Sequence, residues 1–320
     1  MYKLLALIKN TFTETLRQPI YAILILAALL LFTILPSLTM YTMGDDNKLL
    51  REIGLSTLLL TSLFISIFSA SGALADEIEN KTVITVLSKP IRRPVFVIAK
   101  FLGVAGAVAL AHYICTIALL MSIRHGVLDA GWKHHDWTVI VAAGGTVLLS
   151  LGLSAFLNYV YDWRFSSTAV VLAAVFGTLS MILLSFIDPE WKFNPAGNNI
   201  NAFDIYASAL LLCAAVIMVS LAMAVSARFN IVVTLSACIG MFLLGLISDY
   251  VFGQLAATHI WAKIGRFIVP NLQVFWISDA IYEGSPVPIT YVLMGGTYAL
   301  CYTTAILFIA IALFQRRQVG

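Results

Sequence analysis

Charged residues are scarce in this chain. Only 11% of its 320 residues are charged, whereas 61% are hydrophobic. In soluble domains about a quarter of the residues are charged. One soluble core could not bury as much apolar surface as this chain has. The composition therefore argues against an ordinary soluble enzyme and indicates that the bilayer is the solvent for much of the chain.

Motifs for catalysis and for nucleotide binding are also missing. No G-x-x-x-x-G-K-[ST] occurs, so the chain has no Walker A cradle for phosphate. It contains no H-E-x-x-H of a membrane metalloprotease and no G-x-S-G of a serine protease. We therefore expect no enzymatic activity and no cofactor in this chain. The chain also lacks the catalytic residues that an intramembrane protease would need.

Metal-binding patterns are equally poor. The four cysteines lie in apolar segments and form no C-x-x-C pair, which argues against a disulfide framework and a zinc site. The adjacent His134 and His135 make a poor chelate, and no further ligand cluster accompanies them. We expect no metal.

Eight apolar segments each meet the length of about 20 residues that a helical span requires. Continuous hydrophobicity, rather than alternation, favours helices over barrel strands. The sequence thus predicts an all-α polytopic membrane protein with about eight transmembrane helices (six to eight) in one domain, 1–320. The segments are Ile20–Tyr41, Ile53–Ala75, Val95–Ile123, Thr138–Tyr159, Ser167–Ile187, Ile205–Val225, Ile231–Phe252 and Thr290–Phe314.

The interiors of these segments hold essentially no Asp, Glu, Lys or Arg. Ion-coupled transporters usually need such groups near the membrane midplane. His112 is the ionisable side chain well inside a span, where it either bonds to a neighbouring helix or relays protons. If the chain moves a substrate, the energy must therefore come from another subunit.

Basic residues predict the orientation of the spans. With the N-terminus in the cytoplasm, 12 of the 19 Lys and Arg fall on the inner side, together with only 5 of the 16 acids. We therefore expect a multi-pass protein of the cytoplasmic (inner) membrane with both termini in the cytoplasm.

Two segments are expected to lie along the membrane surface. Residues 1–18 place Leu5, Ile8, Phe12 and Leu16 on one helical face, as in an interfacial helix. Residues 253–288 are rich in aromatic residues and form either an external interfacial or re-entrant segment, or an ordinary external loop.

The most charged segment, 76–90, separates the second and third predicted spans. Asp76 can cap a helix with Glu79 at its third position, and Pro90 ends it. The spacing predicts a short amphipathic cytoplasmic helix. Two interpretations remain open from the pattern: adsorption to inner-leaflet lipids, or docking into a groove of a soluble subunit. Its apolar stripe and its basic end comprise Val83, Ile84, Leu87, Ile91, Lys89, Arg92 and Arg93.

This segment resembles the cytoplasmic coupling region of ABC-2-type permeases, the membrane subunits of a class of ABC transporters. Those permeases commonly read E-x-E-x-x-T, a leucine-rich turn, S-x-P with a basic pair, and a Lys–Gly spacing into the next span. The N-terminal helix resembles their elbow helix, 253–288 resembles their external re-entrant helices, and the ending Phe314–Arg317 is also similar. The matching residues are Glu77, Glu79, Thr82, Leu87, Ser88, Pro90, Arg93, Lys100 and Gly103.

The resemblance implies a non-enzymatic permease that works with an ABC ATPase subunit, which would carry the ATP and Mg. It also implies a homodimer or pseudo-dimer of permeases in the bilayer, and no nucleic acid partner. The alternative is a non-transporting scaffold or assembly factor that binds a soluble partner through the same helix. The residues expected to couple to the partner are Glu77, Glu79, Thr82, Val83, Ile84, Leu87, Pro90, Arg92 and Arg93.

Two details stay open. The commonest members of the family have six spans, and the pair Ser167–Ile187 and Ile205–Val225 is the expected addition here. Small residues at helical spacing, Gly103–Ala107–Ala111 and Gly295–Ala299–Thr303, allow close approach of helices either within the chain or at a homodimer seam.

Overall fold

A computed structural model describes residues 2–38, 46–73, 92–127, 135–195, 201–253, 255, 259–278 and 287–315. In these ranges the regular structure is helical, with an isolated β-bridge between Ile187 and Phe193. A π-helical turn, Asp249–Gly253, follows the helix Ile231–Leu246, and a 3-10 turn, Gln273–Phe275, precedes the helix Ile289–Gln315. The helices are α1 (Tyr2–Leu16), α2 (Pro19–Leu38), α3 (Asp46–Ser71), α4 (Arg93–His125), α5 (Trp137–Tyr161), α6 (Phe165–Phe186), α7 (Ala202–Ser226), α8 (Ile231–Leu246), α9 (Ile260–Ile268) and α10 (Ile289–Gln315).

Seven of the described helices are long and apolar enough to cross a membrane: α2 to α7 and α10. The remaining predicted span, Ile231–Phe252, is interrupted at Ile247, which leaves α8 with 16 residues before the π-helical turn. The prediction of a polytopic all-helical protein is therefore confirmed, and this remaining span is a short helix.

The two ends of the bundle can be told apart by contacts between helix termini. We call the end at which α4 begins the lower end and the end at which it finishes the upper end. The last residue of α10, Gln315, contacts the start of α4, whereas Asp204, at the start of α7, pairs with Arg51 near the start of α3. The start of α3 lies at the upper end, because a Cβ placed on Gly126, directly after α4, would lie 4.0 Å from Oδ1 of Asn47. Helix α7 therefore begins at the upper end, and α10 finishes at the lower end. The chain between them must return upward, and α8 provides that passage.

The centre of the bundle is formed by α3, α4 and α7. In its most apolar stretch of 18 residues, α7 has 67% of its residues buried, whereas α5 and α6 have only 17% and 22%. Helices α5 and α6 pack on each other and on α4, and thus form a peripheral hairpin. The pair that the sequence suggests as the addition corresponds to α6 and α7, and it stays a prediction.

Close helix approach within the chain explains the small residues that the sequence left open. A Cβ placed on Gly103 of α4 would lie 2.6 Å from the Cβ of Thr11 in α1. A Cβ placed on Gly295 of α10 would lie 2.6 Å from Cδ2 of Leu210 in α7. Both glycines therefore serve packing inside one chain.

The segment between α8 and α10 lies against the first half of α10. The amide of Asn271 donates to the Tyr298 hydroxyl (2.9 Å), and the Tyr291 hydroxyl donates to the carbonyl of Val274 (2.7 Å). Helix α9 leaves its large apolar side chains outside the protein while Ala262 is fully buried. These contacts fix the segment on the upper half of the bundle. The exposed apolar residues of α9 are Ile260, Trp261, Ile264, Phe267 and Ile268.

Candidate coupling site at the lower end of α4

Helix α4 begins directly after the segment predicted to couple to a partner. Arg92 is its extended N-cap residue (φ −70°, ψ 136°), and Pro94 occupies the first turn, where a missing N–H costs nothing. With 33 residues and a rise of about 1.5 Å per residue, α4 is about 50 Å long. A hydrocarbon layer of about 30 Å is therefore shorter than this helix by about 20 Å.

The end of α10 is fastened to the first turn of α4. The rings of Phe96 and Phe314 stack with their centroids 5.6 Å apart, and neither side chain is exposed. Nη1 of Arg93 donates to the carbonyl oxygen of Gln315 at 2.8 Å. This bond satisfies one of the carbonyl groups that a helix C-terminus leaves without an intrahelical partner. Movement at the start of α4 must therefore involve the end of α10.

Helix α1 docks on the next two turns of α4. The Lys100 ammonium is 1% exposed and lies 3.4 Å from Oε2 of Glu14, whose side chain is half exposed. Gly103, one turn later, removes the side chain that would collide with Thr11. The Lys–Gly spacing that the sequence shares with ABC-2-type permeases thus forms the seat of α1 in this structure.

The face that α1 packs against the bundle combines part of the apolar stripe with two threonines. Leu16 is buried, but Leu5 is 60% exposed, and Thr11 and Thr15 are each 1% exposed. The Thr15 hydroxyl donates to the carbonyl of Thr11 (3.0 Å), so it can be buried without leaving its proton unbonded. The glycine in α4 therefore selects the threonine face of α1, because only small side chains fit there.

A buried arginine clamps the opposite, upper end of α4. The Arg124 guanidinium donates to the carbonyl oxygens of Leu184 and Ile187 at the end of α6. Its Nε lies 3.6 Å from Oδ2 of Asp136, and both side chains are at most 6% exposed. The other carboxylate oxygen of Asp136 caps α5 by accepting from the amide of Thr138 (3.0 Å). One guanidinium thus fixes both ends of the α5–α6 hairpin to α4.

Polar side chains join the three central helices at mid-height. The Ser62 hydroxyl of α3 lies 2.7 Å from Nδ1 of His112 in α4, and Nε2 of His112 donates to the carbonyl oxygen of Ser208 in α7 at 2.9 Å. Because a carbonyl only accepts, Nε2 carries the proton and Nδ1 accepts from Ser62. The predicted bond between His112 and a neighbouring helix is confirmed, and it links two helices.

The predicted coupling residues divide into two groups. Glu77, Glu79, Thr82, Val83, Ile84, Leu87 and Pro90 lie outside the described residues. Arg92 and Arg93 are described, and Arg93 contacts the end of α10.

Sequence reasoning missed the pairing of Glu14 with Lys100 and the clamp at Arg124. The sequence did contain signals for both contacts: a lysine just inside an apolar run and an arginine at the far end of the same run. A buried charge requires a partner, so each of them predicts one.

One comparison with known proteins identifies a family. A protein-family model described as "ABC-2 family transporter protein" matches residues 6–229, from α1 through the end of α7. A search of curated proteins found no match. The matched range covers more than two thirds of the chain and includes the seat of α1, the lower end of α4 and the three central helices. The chain therefore belongs to the ABC-2 family of transporter membrane proteins.

Proposed function

We propose that this protein is the membrane-spanning permease subunit of an ABC transporter, driven by ATP hydrolysis in a separate nucleotide-binding subunit. In this proposal the lower end of the bundle faces the cytoplasm, so that both termini and segment 76–90 lie there. ATP and Mg belong to the partner, and two permease subunits, identical or homologous, enclose the substrate path.

The observation that carries the proposal is the position of α4 in the bundle. It follows segment 76–90 directly in the chain, and its first three turns contact both the end of α10 and helix α1. A push on the segment therefore reaches α1 and α10 together, because both are bound to the same rigid helix.

The upper end supplies the fixed point that such a push requires. Arg51 and Asp204 pair at 3.0 Å between α3 and α7, and Arg124 binds the α5–α6 hairpin to α4. With these ends held, movement of α4 at the lower end becomes a tilt rather than a displacement of the entire bundle. A tilt changes the separation of the spans along the height of the membrane, which is what opening a path on alternate sides requires.

The chemistry of the segment fits a protein partner. We expect Glu77 and Glu79 to meet basic groups on the ATPase, while Leu87 fills an apolar slot. Three acids at the start of this segment argue against simple adsorption to anionic lipids, since like charges repel. A helix with one apolar stripe and charged ends is a common way to fill a groove on another protein.

The test is ATP hydrolysis by the purified chain in lipid nanodiscs, alone and assembled with its ATPase subunit. We expect no hydrolysis by the chain alone. The assembled complex should hydrolyse ATP at a rate that differs from that of the ATPase alone, and replacing the Walker A lysine of the ATPase should abolish it. Hydrolysis by the isolated chain, or an ATPase that neither binds nor responds to it, would contradict the proposal.

A further inference from the structure

A polar groove opens between the π-helical turn Asp249–Gly253 and helix α9. Its volume is about 430 Å³, and the described residues that line it are Asp249, Tyr250, Gly253, Arg266 and Gln273. Nη2 of Arg266 lies 3.7 Å from Oδ1 of Asp249, and these side chains are 60% and 54% exposed. The groove therefore presents a cation and an anion together, with a phenol and an amide beside them.

Direct packing holds the two walls of the groove together. A Cβ placed on Gly265 of α9 would lie 2.4 Å from Cε1 of Phe252 in the turn, so a glycine is what allows this approach. The Trp261 ring meets the same phenylalanine edge-on, with the ring centroids 6.4 Å apart. A Cβ placed on Gly253 would lie 2.9 Å from Oδ1 of Asp249, so this second glycine leaves room for the carboxylate. The groove is thus built into the packing of this segment.

The groove lies at the depth of the hydrocarbon layer. Ile268, two residues after Arg266, accepts a hydrogen bond from the Tyr302 hydroxyl through its carbonyl oxygen. Tyr302 is 13 residues from either end of α10, which is about 20 Å at about 1.5 Å per residue. A hydrocarbon layer of about 30 Å that is centred on this span therefore has Tyr302 at its middle. Since two Cα steps cover at most about 8 Å, the backbone of Arg266 lies inside the layer.

The surroundings of the groove select the class of ligand. Charged side chains at this depth normally pair with each other and line a water-filled cavity or a ligand path, because lipid tails cannot solvate them. The neighbours of Arg266 on α9 include Ile264 and Phe267, which are apolar and exposed. A polar groove beside apolar side chains suits an amphiphile, whose headgroup enters the groove while its tails contact α9. A soluble ion would gain nothing from the apolar side chains.

We propose that this groove binds the headgroup of a zwitterionic phospholipid from the upper leaflet. The Arg266 guanidinium binds the phosphate through parallel hydrogen bonds. The Asp249 carboxylate binds the ammonium group, and the Tyr250 ring offers its face to the same cation. The inference goes beyond the proposed function, because it assigns a ligand to the permease chain alone.

The size of the groove and the spacing of its charges fit this ligand. A volume of about 430 Å³ lies within the range of about 300–1,000 Å³ that is usual for ligand pockets. The distance of 3.7 Å between Arg266 and Asp249 is longer than a hydrogen bond. Both groups can therefore turn to a ligand without losing a hydrogen bond to each other.

The experiment measures lipid binding to the purified full chain in detergent micelles. Phosphatidylethanolamine, which is zwitterionic, and phosphatidylglycerol, which is anionic, are titrated with identical acyl chains, and bound lipid is counted by native mass spectrometry. The test variants are Arg266→Gln and Asp249→Asn. The matched controls are Lys192→Gln and Glu190→Gln, which neutralise the two members of another exposed ion pair, 2.7 Å apart, at the upper end.

The two test variants should differ in the sign of their effects. Arg266→Gln should weaken both lipids about tenfold or more, because it removes a charged hydrogen bond to the phosphate that they share. Asp249→Asn should weaken phosphatidylethanolamine about tenfold but strengthen phosphatidylglycerol, since the lost carboxylate repels an anionic headgroup. A gain for one lipid also shows that this variant is folded. The controls should change either affinity less than about twofold.

Several results would overturn the inference. They are equal affinity of the wild type for the two lipids, a parallel loss of both lipids in Asp249→Asn, and control variants with effects as large as those of the test variants. A dimer of the chain that binds no lipid would also overturn it, because a second copy would then cover the groove. None of these results involves the ATPase, so the proposed function stands or falls by its own test.

Discussion

Replacing Arg124 with Met should loosen the α5–α6 hairpin from the rest of the bundle. The change removes the guanidinium but keeps an unbranched apolar side chain in the same space. Asp136 is then left as a buried carboxylate without its positive partner, and the carbonyl groups of Leu184 and Ile187 lose their donors. Each of these losses acts in the same direction.

The size of the effect follows from the burial of the pair. Arg124 is 1% and Asp136 6% exposed in their side chains. Removing one partner of a buried ion pair costs about 3–5 kcal/mol, because the remaining charge is uncompensated. The pair Arg266–Asp249 has a separation of 3.7 Å, and more than half of each side chain is exposed. This pair should contribute at most about 1 kcal/mol to the stability.

The assay is reversible unfolding in mixed micelles of increasing SDS content, combined with hydrogen exchange of α5 and α6. Arg124→Met should lower the free energy of unfolding by about 3–5 kcal/mol and speed exchange in these two helices before α3 or α7. Arg266→Met is the control. Arg124→Met/Asp136→Asn removes the orphan charge and keeps the cap of α5, so it should recover part of the loss.

Three outcomes would refute this reasoning. The first is a loss below about 1 kcal/mol for Arg124→Met, which is the range of an exposed pair. The second is a double variant that is less stable than the single one. The third is uniform acceleration of hydrogen exchange in all helices, which would mean that Arg124 supports the whole bundle and not the hairpin.

Two further predictions concern packing and orientation. Gly103→Ala should cost about 1–3 kcal/mol in the same SDS unfolding assay, because the new methyl group meets Thr11. Gly152→Ala, where no atom lies within 4 Å of the new Cβ, should cost nothing, and equal losses would contradict the docking of α1. Reporter fusions at Gly320 and Asn47 should give cytoplasmic and external signals respectively, and an external signal at Gly320 would overturn the orientation.

The existence of the spans could be predicted from the sequence, but their places in the bundle could not. Helices α5, α6 and α7 have mean hydropathies of 2.1, 2.4 and 2.6, yet α7 is central and the other two are peripheral. Hydropathy cannot separate them because lipid tails are as apolar as leucine. Small and hydroxylated residues such as Ser208 and Ser220, both buried in α7, are the better signal for a helix that packs against other helices.

The candidate site was predictable in its motif and not in its contacts. The run from Glu77 to Gly103 indicated the family, and the family model confirms it. The pairing of Lys100 with Glu14 joins residues 86 positions apart, and that of Arg93 with Gln315 joins residues 222 positions apart. No local pattern encodes such pairs, because each depends on how the helices are arranged in space.

The central claim is that segment 76–90 carries the coupling to an ATPase, and recovery of the ATPase with tagged chain variants tests it most directly. Leu87→Ala should cost about 2–5 kcal/mol if the side chain fills a slot on the partner, and Glu79→Lys should cost a similar amount by breaking a desolvated charge pair. Both variants should insert and fold normally, but they should bind little ATPase or uncouple its hydrolysis. The control is Lys192→Ala, because Lys192 is exposed at the upper end, and this variant should bind the ATPase fully. Undiminished recovery with normal hydrolysis for both Leu87→Ala and Glu79→Lys would contradict the account and leave the segment as a helix on the lipid surface.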